Sequence, residues 1–542
     1  MDGPTVADPQ IRRGFSSAPL LSYSLEMTAA QRSASFWYSQ VPRLGSEEEF
    51  AVLRALLART AYQETEITAK LNVESMAQFA TSPTRQRSID TPLDALIALF
   101  FDCGLVDESA VSRVLSAGEV AALNALNLLV RNPAFPGQVY ASAAILPTYG
   151  YLTVCDRGEF APDGSRSPLP EDVVYPAHLD STRRFVQGLP PGPCDAMLDI
   201  GTGTGIAALL ASGQARHVWA SDITARAVGF AEFNRRLAGV ANITVVEGDM
   251  YAPVEGLTFD RITTHPPYVP ARKTEFVYRD AGEDGEQILR RAVEGLPRML
   301  RPGGRFYSLQ AATDRQDELF EDRVRKWLGP DAGEFDVIVA AHTIRTPAEF
   351  LADSCRASAD LEHARMVVEM WAPLKVRFLV YAALAIERHA TARRAFTLRV
   401  QTGKHFDGAL LDWLMGWRRR LADPGESESL LESCPVAGPE AEMHTISRLR
   451  EGRFQMQEFT LRSDWPFSTS FRCERWLAQI VASCDGRRTW RELLEEARTA
   501  GHVPPGVDLK QSLDLFGLLV SAGLLELPGW LPPRAPNAEK VR

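Results

Sequence analysis

The chain has 542 residues, 45% of them hydrophobic and 24% charged, with a formal net charge of −10. Such values describe a globular polypeptide of roughly two to four domains, and the acidic balance disfavours a nucleic-acid partner without closing off a local basic patch. No apolar run reaches membrane-spanning length, and the first residues lack the apolar core of a secretory leader, so no membrane partner is expected.

Residues 1–30 carry early acids and prolines and are expected to be disordered. Residues 31–135 read as a helical or winged-helix-like module. Ser46 followed by Glu47, Glu48 and Glu49 leads into Phe50, Leu53, Leu56 and Leu57, an apolar stripe at helical spacing. Thr91-Pro92 is an N-cap with proline at the first helical position, and Ser116 through Glu119 is a capping box. Gln138–Cys155 reads as strands, and 157–170 is a Gly/Pro/Ser/Asp-rich loop. An α/β domain is expected over 136–400, with its core at 172–310. The longest apolar run within it, Phe378–Ile386, has the length of a buried strand or short core helix. Residues 401–442 read as a connecting region and 443–530 as a second helical, winged-helix-like module, with a capping box at Thr489–Glu492. The tail, 531–542, is expected to be disordered. Seven scattered cysteines without a CxxC pair imply reduced thiols and a cytoplasmic setting. No clustered ligand set for a metal is evident.

The informative chemistry lies in the central core. Ala196–Ile200 is a short apolar strand with Asp199 near its end, followed at once by Gly201-Thr202-Gly203-Thr204-Gly205 and an apolar helix. Strand, glycine turn and helix form the first unit of a doubly wound sheet, whose ligand sits at the carboxyl ends of the strands. A dinucleotide site would show GxGxxG, but Ile206 stands where its third glycine would fall. An acid just before the glycines suits a cationic ligand end, such as the amino group and sulfonium of S-adenosyl-L-methionine. A second strand ends at Asp222-Ile223, where an acid can accept both ribose hydroxyls. A third leads to Asp249-Met250, where the acid can accept from an adenine amino group with Met250 or Tyr251 against the ring. A fourth strand runs into Thr264-His265-Pro266-Pro267-Tyr268, and a helix then precedes Arg301-Pro-Gly-Gly304 and a fifth strand.

Taken in order, these stations resemble the class I S-adenosylmethionine-dependent methyltransferases. Leu198–Gly205, Thr264–Pro270, Tyr278–Gly285 and the upstream stretch Val173–Ser181 are similar to the release-factor glutamine N5-methyltransferases. The resemblance implies a Rossmann-like domain with a mostly parallel seven-stranded sheet, here flanked by helical modules foreign to that family. It implies methyl transfer to a planar nitrogen at an Asn/Asp-Pro-Pro-Tyr turn, whose first side chain accepts the target N–H hydrogens while the tyrosine packs on the planar group. This sequence departs at the first position, His265.

A neutral imidazole can replace the amide as an acceptor, or serve as a general base for a protic nucleophile. The change can also mark lost activity. Asp180 and Ser181 can cap a helix beginning at Thr182 or touch the cofactor. Tyr278, Arg279, Asp280 and Asp284 read as a solvated charged loop or a substrate gate. Three functions stay open: methylation of a nitrogen on a protein or other macromolecule, methylation of a small metabolite with His265 as base, and a non-catalytic cofactor-binding scaffold. The acceptor and the oligomeric state are not legible.

Overall fold

The computed structural model describes residues 37–74, 87–356, 361–504 and 506–533; the expected disordered segment 1–30 and most of the 531–542 tail lie outside these described residues. Among the described residues all seven cysteines are free, no set of side chains could hold a metal ion, and no helix is long and apolar enough to cross a membrane.

The N-terminal module begins with helices Glu47–Arg59 and Glu64–Leu71. The capping box at Ser46 is formed, and Phe50, Leu53, Leu56 and Leu57 are buried as the spacing predicts. Helix Pro92–Leu96 runs on through a π-turn at Ile97–Phe101, then come β1 (Val106–Asp107), helices Glu108–Val114 and Ala117–Ala125, β2 (Leu129–Arg131) and β3 (Gln138–Ala141). The three strands pair antiparallel in the order β1-β3-β2. Helix Ala117–Ala125 contains no Lys or Arg, and its Glu119 pairs with Arg59 of the first helix. The hairpin β4 (Ala144–Thr148) and β5 (Tyr151–Cys155) follows.

The central sheet holds β6 (Cys194–Ile200), β7 (Ala215–Asp222), β8 (Ile243–Glu247), β9 (Phe259–Thr264), β10 (Leu300–Arg315), β11 (Phe335–Arg345) and β12 (Val376–Arg388). Their order is β8-β7-β6-β9-β10-β12-β11, and β12 alone of these runs antiparallel to its neighbours. Phe335–Ala341 is buried throughout, as a strand covered on both faces requires, and Phe378–Ile386 lies within β12 as a strand.

The seven-stranded expectation falls short, because the sheet continues to eleven strands. Strand β13 (Thr397–Thr402) pairs parallel to β11. After the short β14 (Val436–Ala437), the meander β15 (Glu442–Arg450), β16 (Arg453–Ser463) and β17 (Phe467–Cys473) joins β13 through β17. The helical expectation for 443–530 thus holds only for Arg475–Ala482, Trp490–Thr499 and Leu509–Ser521, which precede β18 (Leu525–Glu526). Nor is 401–442 a mere connection. Its helix Gly408–Ala422 buries Leu410, Trp413, Leu414 and Trp417 in one core with β10, β11 and the C-terminal helices, because these residues recur at helical spacing.

Candidate functional site

Four strand ends build the site. At the end of β6 the chain turns through Gly201, Gly203 and Gly205, all with positive φ (69°, 55° and 80°). A Cβ at Gly201 or Gly203 would meet no protein atom within 4 Å, so both face open space and form a backbone cradle. Asp199, buried beneath it, accepts from the Thr202 hydroxyl at 2.6 Å and the Thr263 hydroxyl at 3.1 Å. Burial outweighs these bonds and lifts its carboxyl to about 6, with nearby Asp222 adding to the rise.

At the end of β7, Asp222 accepts from the Gly203 backbone N–H at 3.0 Å and from the N–H and hydroxyl of Thr224 at 3.1 and 3.2 Å. Its pKa is also raised, first by burial. Next to it Ile223 is 53% exposed, an apolar surface on the rim of the same cavity. At the end of β8, Asp249 pairs with Arg291 at 2.6 Å, and Met250 takes a left-handed backbone (φ 53°). Tyr251 does not share this place. Its hydroxyl donates to the Ala292 carbonyl at 2.6 Å and its ring is buried under helix Gln287–Met299, which corrects its expected position against a ligand ring.

The fourth strand end carries the proline turn. Thr264 donates to the Ile200 carbonyl at 2.9 Å, locking β9 to the glycine strand. A Cβ at Gly285 (φ 75°) would stand 2.6 Å from the Tyr268 carbonyl oxygen, so glycine there lets the following segment close over the turn. The His265 ring stacks on Phe185 with centroids 5.2 Å apart and lies 5.9 Å from the Tyr268 ring. Its Nε2 is buried without a hydrogen-bond partner, and desolvation pushes the imidazole down to about 4. The ring is therefore neutral at physiological pH, with acceptor capacity unspent. The Tyr268 ring stands edge-on to the Tyr381 ring with centroids 6.1 Å apart, and burial raises its pKa.

All the predicted cofactor and turn residues except Gly205, namely Asp199, Gly201, Thr202, Gly203, Asp222, Ile223, Asp249, Met250, His265, Pro266, Pro267 and Tyr268, line one cavity of about 1150 Å³. Gly205 sits just behind it as the left-handed cap of helix Ile206–Ser212.

Several expectations need correction. Asp180 opens helix Asp180–Gln187 without capping it and pairs with Arg183 at 2.9 Å. Tyr278 to Asp284 is no solvated loop. Asp280 is buried, ion-paired to Arg279 at 2.7 Å, and accepts from the Glu275 and Phe276 N–H groups. Tyr278 stacks on Tyr175 at 5.0 Å, and Asp284 holds Arg290 and Arg315. The sequence also gave no warning of helices Pro347–Arg356 and Leu361–Trp371, inserted between β11 and β12. They bring Phe350, Val367 and Trp371 to the cavity wall. The Trp371 indole N–H is buried without a partner. No motif marks this insertion.

The model of the methyltransferase small domain family matches residues 175–327. The release factor glutamine methyltransferase of Moorella thermoacetica is 34% identical over 148 residues, covering 24% of this chain and 52% of that protein. The ribosomal protein uL3 glutamine methyltransferase of Bradyrhizobium diazoefficiens is 30% identical over 161 residues, covering 27% and 50%. This chain thus spans about half the length of these curated relatives. Among solved structures, the ribosomal protein L11 methylase of Lactobacillus delbrueckii subsp. bulgaricus aligns at 20% identity and a TM-score of 0.22, over 36% of this chain and 71% of that one. Residues 175–327 thus match a methyltransferase small domain and resemble the release-factor glutamine methyltransferases, and β11 and β12 beyond them complete the β8-β7-β6-β9-β10-β12-β11 sheet.

Proposed function

We propose that this chain transfers a methyl group from S-adenosyl-L-methionine to a nitrogen of an acceptor seated at the His265–Tyr268 turn. The observation that carries the reading is that the glycine cradle and the proline turn open into one cavity. The residues fit the cofactor. Two buried carboxylates with raised pKa values, Asp199 and Asp222, favour a cationic ligand, and Ile223 offers the flat apolar surface a purine would cover. Asp222 would hold the ribose, Asp249 and Met250 the adenine side, and Gly201, Thr202 and Gly203 the amino-acid end. When bound, S-adenosyl-L-methionine supplies an electrophilic methyl carbon on a sulfonium.

The chain's own contribution is placement. Pro266 and Pro267 stiffen the turn so that its acceptors are fixed before the substrate arrives. The neutral His265 imidazole accepts one hydrogen of the target N–H, and the Tyr268 ring supports the planar group from one side. The relatives named above carry glutamine methyltransferase names, so a glutamine side chain of a protein is the first acceptor to test. A small acceptor is the second reading. The observation favouring it is that Phe350 and Trp371 of the inserted helices line the same cavity.

Calorimetry with S-adenosylmethionine and S-adenosylhomocysteine tests the central claim. Binding is expected in the wild type and weakened at least about tenfold in Asp222→Ala, as for loss of a charged hydrogen-bond acceptor. Absence of binding by the wild type would overturn it. Transfer of labelled methyl from the cofactor in cell extract then separates the two readings, the label appearing in protein or in a small molecule.

A further inference from the structure

Strand β15 forms one edge of the eleven-stranded sheet and pairs only with β16. Every residue of Glu442–Arg450 is exposed. An uncovered edge of this length is a template for another strand. One face of the β15–β16 hairpin is apolar as well: Met443, Leu449, Phe454 and Met456 are 55%, 63%, 77% and 55% exposed. The register β15↔β16 puts Met443 opposite Leu461 and Leu449 opposite Phe454, so these side chains share a face. The base of that face is covered by the C-terminal core, which contains Leu461 and helix residues Leu477, Ile480 and Val481.

We propose that β15 pairs antiparallel with β15 of a second copy of this chain, about a two-fold axis through Ile446. The sequence Glu442-Met-His-Thr-Ile-Ser-Arg-Leu-Arg450 is complementary to itself in that register. Glu442 falls opposite Arg450 of the second copy, His444 opposite Arg448, and Ile446 opposite its own counterpart. On the other face Met443 meets Leu449, and Thr445 meets Ser447. Opposed residues in an antiparallel pair point to the same face, so charge meets charge and apolar meets apolar at both ends.

The hairpin also carries a defect that this pairing relieves. Arg450 and Arg453 stand directly opposite each other beside the Glu451-Gly452 turn, a like-charge pair that weakens a ladder. A second copy brings Glu442 to that position. The apolar tip of each hairpin then lies alongside the base of the other, where the helix-covered end of the face begins. A register shifted by one residue would set apolar against charged side chains.

The test is the mass of the full chain in solution, by sedimentation and light scattering, for wild type, Glu442→Arg, Arg450→Glu and the double exchange. Two-chain mass is expected for the wild type. Each single change should raise the dissociation constant about tenfold or more, and the double exchange should restore it. Arg450→Glu is the sharper single variant, because it removes the Arg450–Arg453 repulsion inside the hairpin while opposing dimer formation. A wild type that stays at one-chain mass up to about 100 μM overturns the proposal. So does a dimer indifferent to the single changes, or one that the double exchange fails to restore.

Discussion

The site turns on two side chains held in unusual protonation balance. His265 stays neutral because its desolvated imidazole sits near 4. A neutral ring accepts a hydrogen bond well and takes a proton poorly, which separates two mechanisms. As an acceptor, His265 is replaceable by the amide that the related motif carries. His265→Asn is expected to keep kcat within about tenfold of wild type, whereas His265→Ala loses about a hundredfold or more, in the range for removing a fixed polar group. The pH–rate profile should show no inflection from His265 between pH 6 and 8. A falling acid limb near pH 6.5, with the asparagine variant as inactive as the alanine variant, would instead make it a general base.

Asp199 is the converse. Its folded-state pKa of about 6 lies above the unfolded value of about 4. The folded state therefore holds the proton more tightly, and this contribution to stability is present at low pH and lost as pH rises from about 4 to about 6. Above that window the ionised carboxylate costs on the order of 3 kcal/mol in the cofactor-free protein. Asp199→Asn should raise the melting temperature near pH 7.5, show a shrinking difference toward pH 4, and abolish cofactor binding. A variant that melts lower at neutral pH would contradict this account. The acids and glycines of this half of the site are legible in sequence because each must follow a strand directly. The neutrality of His265 is not legible, since the Phe185 ring that desolvates it comes from a helix 80 positions away.

Among the elements, helix Gly408–Ala422 shows why a connecting region was expected where a core helix stands. Its apolar stripe is flanked by Arg418, Arg419 and Arg420 and by the polar run 423–429, and local composition outweighs a stripe of four residues. Trp417 is fully buried, donates to the Gly517 carbonyl at 3.1 Å, and meets the Phe516 ring at 6.2 Å. Trp417→Ala should cost about 3–5 kcal/mol, read as a lower denaturant midpoint for the C-terminal fluorescence signal. An unchanged midpoint would mean that this helix packs less tightly than its burial indicates. Strands β6 to β9 and helix Gln287–Met299 were legible from period and turn chemistry. Strands β15 and β16 were not, because exposed strands lack the inward apolar alternation that marks a half-buried one.

At the scale of the molecule, the N-terminal module and the central sheet share one interior. Phe230, Phe233 and Leu237 of helix Ala225–Leu237 lie in the N-terminal core, with Phe50 and Phe233 rings 4.8 Å apart. Arg226 grips Asp156 of the N-terminal segment and donates to the Tyr38 carbonyl at 2.9 Å. No pattern in the chain foretells this fusion, because a helix that buries both flanks reads the same as one that buries a single broad face. The most economical joint is Asn234. Its amide accepts from Val154 N–H at 2.7 Å and donates to the carbonyls of Val154 and Thr204, both at 2.9 Å. One fully buried side chain thus ties the β4–β5 hairpin to the glycine turn. Binding at either end of such a joint is thermodynamically reciprocal. A partner that displaced the hairpin would change cofactor affinity by some factor, and the cofactor would change that partner's affinity by the same factor.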